Sequence, residues 1–364
     1  RFYNACNYKT SGTIENMGTE KPEVKHPRFL IARIDRIGDV VLSTPLPREI
    51  KRVYPDCFIA SLVRDYTKDI YINNPFVDEI IIYDETDNSF ESFTKQVQLI
   101  RSYKFTHAFM LLPDERINYI LFFAGVPFRV GVGHKIFQML TFTKFVERKK
   151  YNPLRHEADY ALDMIRKLGI EPISFEPEIY LDEYEKQQAL EFRKLYVNND
   201  EKLVGINTTS GNSAPNLKSS EYKKLIQKFL QDDKIKVIVT DKNPPQELLE
   251  ITEIQFPIVD NKLRDSIIKF SALDLLISNS TGPMHICAAL KVPTLSLFCP
   301  LTACSPKLWG PLGNISEIML PKKEYCQTQC PGDPKKCSYE GNSGINAESV
   351  YNKALEFLKS IKTK

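Results

Sequence analysis

The feature that most constrains this chain is a repeated change of hydrophobic rhythm. Short continuous apolar runs alternate with segments whose apolar residues recur at helical spacing. Residues 28–33 (Arg28, Phe29, Leu30, Ile31, Ala32, Arg33) form the first run. Val41, Leu46, Ile50 and Val53 then follow at helical spacing, predicting a helix over 40–53 that ends at Tyr54-Pro55-Asp56. The next run, Phe58–Val63, comes at once, and runs at 79–83 and 106–112 flank a helical segment at 92–103. The second half repeats the theme, with strand-like runs at 202–207, 235–240, 273–278 and 294–298 and helical segments at 219–231 and 284–290. Buried strands joined through helices by short connections read as βαβ units around parallel sheets. Between the halves, Pro172 and Pro177 interrupt the helical pattern that runs from Ala158 to Leu168, which places a linker at 171–177. The expected division is a polar leader at 1–27, one α/β domain at 28–172, a second at 178–346, and a closing helix within 347–364. Two domains of similar size would flank a cleft.

Composition narrows the class. With 364 residues, two domains can each bury a core, and 42% hydrophobic residues exclude a mostly disordered chain. The 49 Lys and Arg nearly balance 46 Asp and Glu. Residues 1–170 carry 25 basic and 21 acidic side chains, and the remainder is close to neutral. That balance argues against a nucleic-acid partner, which calls for a strongly basic face. No apolar run approaches the length of a membrane span, and residues 1–27 lack the apolar core of a signal peptide. Eight cysteines are too few for a disulfide scaffold of this size, and Cys57, Cys287 and Cys299 sit in apolar stretches, so a reducing cytoplasm is expected.

Several familiar chemistries lack their motifs. There is no P-loop and no complete Gly-x-Gly-x-x-Gly, of which Gly131-Val132-Gly133 is a fragment. There is no His-Glu-x-x-His, no Gly-x-Ser-x-Gly and no zinc-ribbon spacing. What remains are three turns at expected strand ends, where ligands gather in a parallel sheet. The first holds Arg33, Arg36, Gly38 and Asp39. Gly38 permits a close backbone approach, and Asp39 is either an ordinary helix N-cap or a catalytic base. The second is Ser280-Thr281-Gly282-Pro283-Met284-His285, a proline-started helix with hydroxyls beside it. It is suited to an anion or to plain capping. The third, Asn207-Thr208-Thr209-Ser210-Gly211, could hold a diphosphate but is also a common loop composition.

Residues 29–45, from Phe29 through Arg33, Asp35, Arg36, Gly38 and Asp39 to Pro45, resemble the N-terminal signature of the ADP-heptose:lipopolysaccharide heptosyltransferases, glycosyltransferase family 9. Ser280 through Leu290, with Leu297 to Pro300, resembles a second signature. Asn74-Pro75, Arg129-Val130-Gly131, His156-Glu157 and Trp309-Gly310-Pro311 fall in the family's order, so the likeness extends over 28–360. The resemblance implies a GT-B fold, two Rossmann-like domains facing a central cleft, with the closing helix returning to the N-terminal domain. It implies an inverting transfer of heptose from ADP-heptose to an anionic lipopolysaccharide core acceptor, with no cofactor and no required metal. Asp39 would be the general base. Thr208, Thr209, Ser210, Lys218, Glu247, Ser280, Thr281, Gly282 and His285 would serve the donor, and Arg33, Arg36, Gly38 and Arg64 the acceptor. Two positions depart from the family: Ser280 stands where Asp is usual, and Pro215 where a basic residue is usual, with Lys218 a nearby substitute. The alternatives are another nucleotide sugar, a protein acceptor, or a nucleotide-sugar-binding protein without activity.

Two local patterns are left open. Lys144, Arg148, Lys149, Lys150 and Arg155 form a basic run, either a solvated face or a contact with anionic sugars or the inner face of the inner membrane. Cys326, Cys330 and Cys337 are either unligated thiols or three ligands of a metal whose fourth ligand is unidentified.

Overall fold

The structure is a computed structural model describing residues 26–148, 151–198, 200–211 and 214–361. The expected leader therefore lies almost wholly outside the described residues, as do Lys149 and Lys150. The first domain is a six-stranded, fully parallel sheet of β1 (Arg28–Ala32), β2 (Phe58–Val63), β3 (Glu79–Ile82), β4 (His107–Met110), β5 (Phe128–Val132) and β6 (Lys144–Val146). Its order is β3-β2-β1-β4-β5-β6. The second is a five-stranded parallel sheet of β7 (Lys202–Ile206), β8 (Ile235–Val239), β9 (Leu275–Asn279), β10 (Thr294–Leu297) and β11 (Ser316–Met319), ordered β11-β10-β9-β7-β8. Both are doubly wound arrangements in which strand order reverses beside the first strand of the domain, and the crevice at that reversal opens at the carboxyl ends of the strands.

The strands read as continuous apolar runs because helices cover both faces of each sheet. In β1, Leu30 and Ala32 face one core with Ile100, Ile117 and Leu121. Phe29 and Ile31 face the other, with Leu46, Ile50, Leu162 and Ile165. The predicted helix over 40–53 is in fact two, Ile37–Val41 and Pro45–Val53. Pro45 has no N–H to continue the first helix and instead opens the second, where that N–H is not needed.

The two domains share an apolar seam. Val40, Val41, Val63, Ile70 and Tyr71 of the first pack in one cluster with Ile267, Phe270, Ile286 and Cys287 of the second. The closing helix, Ala347–Ser360, does not return to the N-terminal domain as the resemblance implied. Its buried face, Ala347, Val350, Ala354 and Phe357, shares a core with Tyr222, Leu225 and Phe229 of helix Ser219–Leu230. Glu221 there accepts a hydrogen bond from the Ala347 N–H at 2.9 Å. No helix among the described residues is long and apolar enough to cross a membrane.

Candidate functional site

A cleft of about 1500 Å³ lies between the domains, lined by loops that follow β1, β2, β7, β8, β9 and β10. From the first domain it receives Arg36, Gly38 and Asp39, together with Tyr66 and Lys68; from the second come Thr209, Ser210, Ser280, Thr281, Gly282 and His285. The sequence candidates on both sides are thus brought to one cavity.

Asp39 is not the helix cap that one reading made it. Arg36 occupies the N-cap of helix Ile37–Val41, and Asp39 is its third residue. The Asp39 Oδ1 accepts from Arg33 Nη2 at 2.7 Å, while the carboxylate remains at the cavity wall, its side chain 23% exposed. Arg33 itself is buried and not on the acceptor surface. Its guanidinium also donates to the Leu111 carbonyl at 3.1 Å and to Glu157 at 3.3 Å, and its Nε lies 2.9 Å from Asp35. Burial works against the charge of Arg33, but Asp39, Asp35 and Glu157 outweigh it and raise the pKa above the ordinary value. Burial likewise raises the Asp35 carboxyl, against the pull of Arg33.

Across the cleft, helix Gly282–Ala289 starts at the N-cap Thr281, with Pro283 in its first turn. This N-terminus abuts the Asp39 loop. A Cβ on Gly38 would stand 2.8 Å from His285 Cδ2, and one on Gly282 would stand 3.1 Å from Ile37 Cγ2. Glycine at both positions therefore sets the approach of the two domains. His285 is buried and neutral: burial, with the nearby His156, holds its pKa down to about 3. It gives no positive charge to a bound anion, and its Nδ1 is a buried nitrogen with no hydrogen-bond partner among the described residues. His156 is also held neutral by burial, with a pKa down to about 4, and its Nε2 lies 2.9 Å from the Gly310 carbonyl of the second domain.

The Thr208-Thr209 loop is organised by a residue that the sequence reading missed. Asp241, just beyond β8, accepts from both backbone N–H groups, at 2.7 and 2.9 Å. It also accepts from both threonine hydroxyls, at 2.8 and 2.5 Å, and from Asn207 at 2.9 Å. Burial raises its pKa, outweighing these bonds. Thr208 is fully buried beneath the loop, and Thr209 reaches the cavity with its hydroxyl proton committed to Asp241.

Three other candidates lie away from the cavity. Lys218 is ion-paired with Glu340 on the surface. Glu247 is exposed in the short helix Gln246–Leu249, because Pro244 and Pro245 carry the chain outward before that helix begins. Arg64 pairs with Glu85 at 2.5 Å. On the second-domain side, Lys242, Lys262 and Lys335 are cations at the cleft wall that were not anticipated. Asp241 and Lys242 stand directly after an apolar run, so the strand-end rule that found Asp39 would have found them too. In the basic run, Arg148 pairs with Glu157 at 2.8 Å and Arg155 with Asp163 at 2.6 Å, so neither is spare for a ligand. Cys326, Cys330 and Cys337 are free thiols packed on the core of the second domain, and no group of three or more metal-binding side chains occurs among the described residues.

Two parallel α/β domains with their strand ends turned to one cleft make this a GT-B fold. The family model for glycosyltransferase family 9 (heptosyltransferase) matches residues 95–337. The chain belongs to glycosyltransferase family 9. It is 25% identical over 304 residues to a Haemophilus influenzae protein provisionally named a glycosyltransferase, covering 80% of this chain and 87% of that one. A family 9 glycosyl transferase from Veillonella parvula has the same fold, with a TM-score of 0.76 at 21% identity over 92% of this chain and 98% of the other. So does the Escherichia coli ADP-heptose lipopolysaccharide heptosyltransferase II, with a TM-score of 0.70 at 17% identity over 92% and 99%.

Proposed function

We propose that this chain transfers heptose from ADP-heptose to an anionic lipopolysaccharide core acceptor, inverting the anomeric centre without a required metal, and that it works at the inner face of the inner membrane. The family membership and the substrate named for the Escherichia coli fold neighbour support the donor and acceptor classes. The observation that carries the mechanism is the close approach of Gly38 to His285, which brings the helix bearing Asp39 against the start of helix Gly282–Ala289, both lining one cavity. A helix N-terminus favours an anion through its unpaired N–H groups and dipole. Here Thr281, Gly282 and Ser210 form the cradle, with Lys242 and Lys335 as nearby cations. A diphosphate held there turns its sugar toward Asp39. The Asp39 carboxylate takes the proton of the acceptor hydroxyl, the acceptor oxygen attacks the anomeric carbon from the first domain, and the nucleoside diphosphate departs on the opposite side. Arg33 fixes one carboxylate oxygen; Asp39 Oδ2 accepts no hydrogen bond among the described residues.

General-base catalysis contributes roughly 10²–10⁴-fold, so Asp39→Asn is expected to lower turnover by that factor. ADP affinity, measured by calorimetry, is expected to stay within a few-fold of wild type. Wild-type turnover in that variant would remove Asp39 from the chemistry. One observation favours a second reading, a nucleotide-sugar-binding protein without transfer: the surface pairing of Lys218 leaves the usual basic position of the donor site unfilled from that helix. Donor binding without transfer to any lipopolysaccharide core acceptor would establish it.

A further inference from the structure

The segment after β5 is built inside out. Helix Ile136–Leu140 and the turn that follows bury their polar side chains and, apart from the half-buried Phe137, expose their apolar ones. Gln138 and Thr141 are each 1% exposed and Thr143 5%, whereas Ile136 is 76%, Met139 70%, Leu140 64% and Phe142 86% exposed. The inner polar groups are fully employed. Asn118, buried on helix Glu115–Phe123, donates to the Phe137 carbonyl at 3.1 Å and to the Thr141 hydroxyl at 2.8 Å, and it accepts from Thr143 at 3.0 Å. Gln138 accepts from the Lys135 N–H at 3.0 Å and donates to the Val132 carbonyl at 3.2 Å. The segment is thus pinned by hydrogen bonds rather than by an apolar core, which leaves four large apolar side chains on the outside. Phe142 is the extreme case: it takes a left-handed backbone, φ +54°, where glycine or asparagine is the economical residue. A bulky aromatic that is strained in its backbone and bare to water contributes nothing to the isolated fold. A contiguous exposed apolar patch of this kind marks a surface that meets something else.

The surroundings indicate what. Lys135 and Lys144, both exposed, flank the patch, Lys149 and Lys150 follow in the sequence, and the one carboxylate of residues 134–150, Glu147, lies 3.3 Å from His134. An apolar tip flanked by lysines suits an anionic bilayer, where the apolar side chains enter the headgroup boundary and the ammonium groups stay with lipid phosphates. Position agrees. The sheet is parallel, so the carboxyl ends of β1 and β5 lie on one edge, separated only by β4. At the usual strand spacing that is about 10 Å. Helix Ile136–Leu140 therefore starts on the edge that carries Asp39, and Phe142 lies on the short return to β6, whose Lys144 pairs with Val130.

We propose that Ile136, Met139, Leu140 and Phe142 form a membrane-docking tip that inserts into an anionic lipid surface and brings the first-domain side of the cleft to it. The proposal rests on the acceptor reading above only for its purpose. Binding is measured on the full chain with no sugar nucleotide present, so failure of docking and failure of the transfer assignment are separate results. The test is co-sedimentation with vesicles of phosphatidylglycerol and phosphatidylethanolamine, against vesicles of phosphatidylcholine alone. Wild type is expected to sediment with the anionic vesicles and much less with the neutral ones. Phe142→Gly relieves the left-handed backbone, so its melting temperature should match or exceed that of wild type, while Phe142→Gly with Leu140→Ser should lose at least about tenfold in partitioning. Undiminished binding by that variant overturns the tip, and equal binding to both vesicle types overturns its anionic specificity. If wild type ignores vesicles but self-associates in sedimentation velocity, and the double variant does not, the patch joins two copies of the chain and the membrane proposal falls.

Discussion

Arg33 holds three carboxylates together, and it shows how a buried charge can be stable only as part of a set. Each of Asp35, Asp39 and Glu157 would be costly in this place without the guanidinium, and the guanidinium without them. Close by, two histidines are handled in the opposite way and kept neutral. The His156 Nδ1 accepts from the Ala158 N–H at 3.2 Å, which leaves Nε2 as the donor to the Gly310 carbonyl. Burial depresses its pKa from 6.5 to about 4. An unfolded His156 therefore takes up a proton as pH falls through 6.5, while the folded one does not until about 4. Stability is intact above that window and is lost on acidification through it. Linkage gives a loss of about 2 kcal/mol at pH 5 from this one group. Urea unfolding at pH 7 and pH 5 should show it. His156→Gln, which keeps a donor for Gly310 and does not titrate, should be less acid-sensitive than wild type by about that amount. A variant as acid-sensitive as wild type would assign the effect elsewhere.

At the scale of elements, helices Ile37–Val41 and Gly282–Ala289 meet near their N-terminal ends without intervening Cβ atoms at Gly38 and Gly282. Gly38→Ala would force its methyl group to within 2.8 Å of a buried imidazole that has little room to move. Overpacking of this kind costs about 1–3 kcal/mol, and the displacement falls on the loop that carries Asp39. Thermal unfolding should register the cost, and turnover should fall while ADP affinity changes less. Wild-type stability and rate in the Gly38→Ala variant would mean that the seam is soft. The same helices show what sequence alone discloses. Eight strands were legible because continuous apolar runs bounded by turns have few other solutions, whereas β5, β6 and β11, shorter or broken by charged and glycine residues, were not read as strands. The strand-end rule located Asp39, Ser280 and Thr281 because each follows such a run. Which face the closing helix covers was not legible: Val350, Ala354 and Phe357 announce an apolar stripe, but a stripe does not name its partner. Arg33 was misplaced for a related reason. Glu157, 124 residues away in sequence, helps to draw it inside. Lys218 and Glu247 had suitable chemistry at suitable spacing, and the structure sends both to the surface.

At the scale of the whole molecule, the question is whether the domains behave as one body, since Asp39 belongs to one and Ser210, Thr281 and Gly282 to the other. Arg264 is the clearest tie. Its guanidinium donates to both carboxylate oxygens of Glu185, each at 2.6 Å, to the Tyr180 carbonyl at 2.7 Å, and to the Asp69 carbonyl of the first domain at 3.0 Å. The Arg264 N–H adds a bond to the Asp69 carboxylate at 2.9 Å. One residue thus joins the start of helix Leu263–Ser271, helix Glu183–Lys194 and the turn after β2. Arg264→Ala leaves Glu185 buried and unpaired, a loss of about 3–5 kcal/mol, whereas replacing both partners by apolar residues of similar size is often close to neutral. Arg264→Met with Glu185→Met is therefore expected to recover most of the stability lost by Arg264→Ala. The apolar seam of Val40, Val41, Ile70 and Tyr71 against Ile267, Phe270 and Ile286 remains in both variants. For that reason unfolding of Arg264→Ala should stay a single transition, shifted to lower denaturant, rather than split into two. Coincidence of tryptophan fluorescence (the one tryptophan, Trp309, lies at the cleft) with far-ultraviolet dichroism across the urea titration would demonstrate the single transition. Two separated transitions would show that Arg264, and not the apolar seam, couples the two domains.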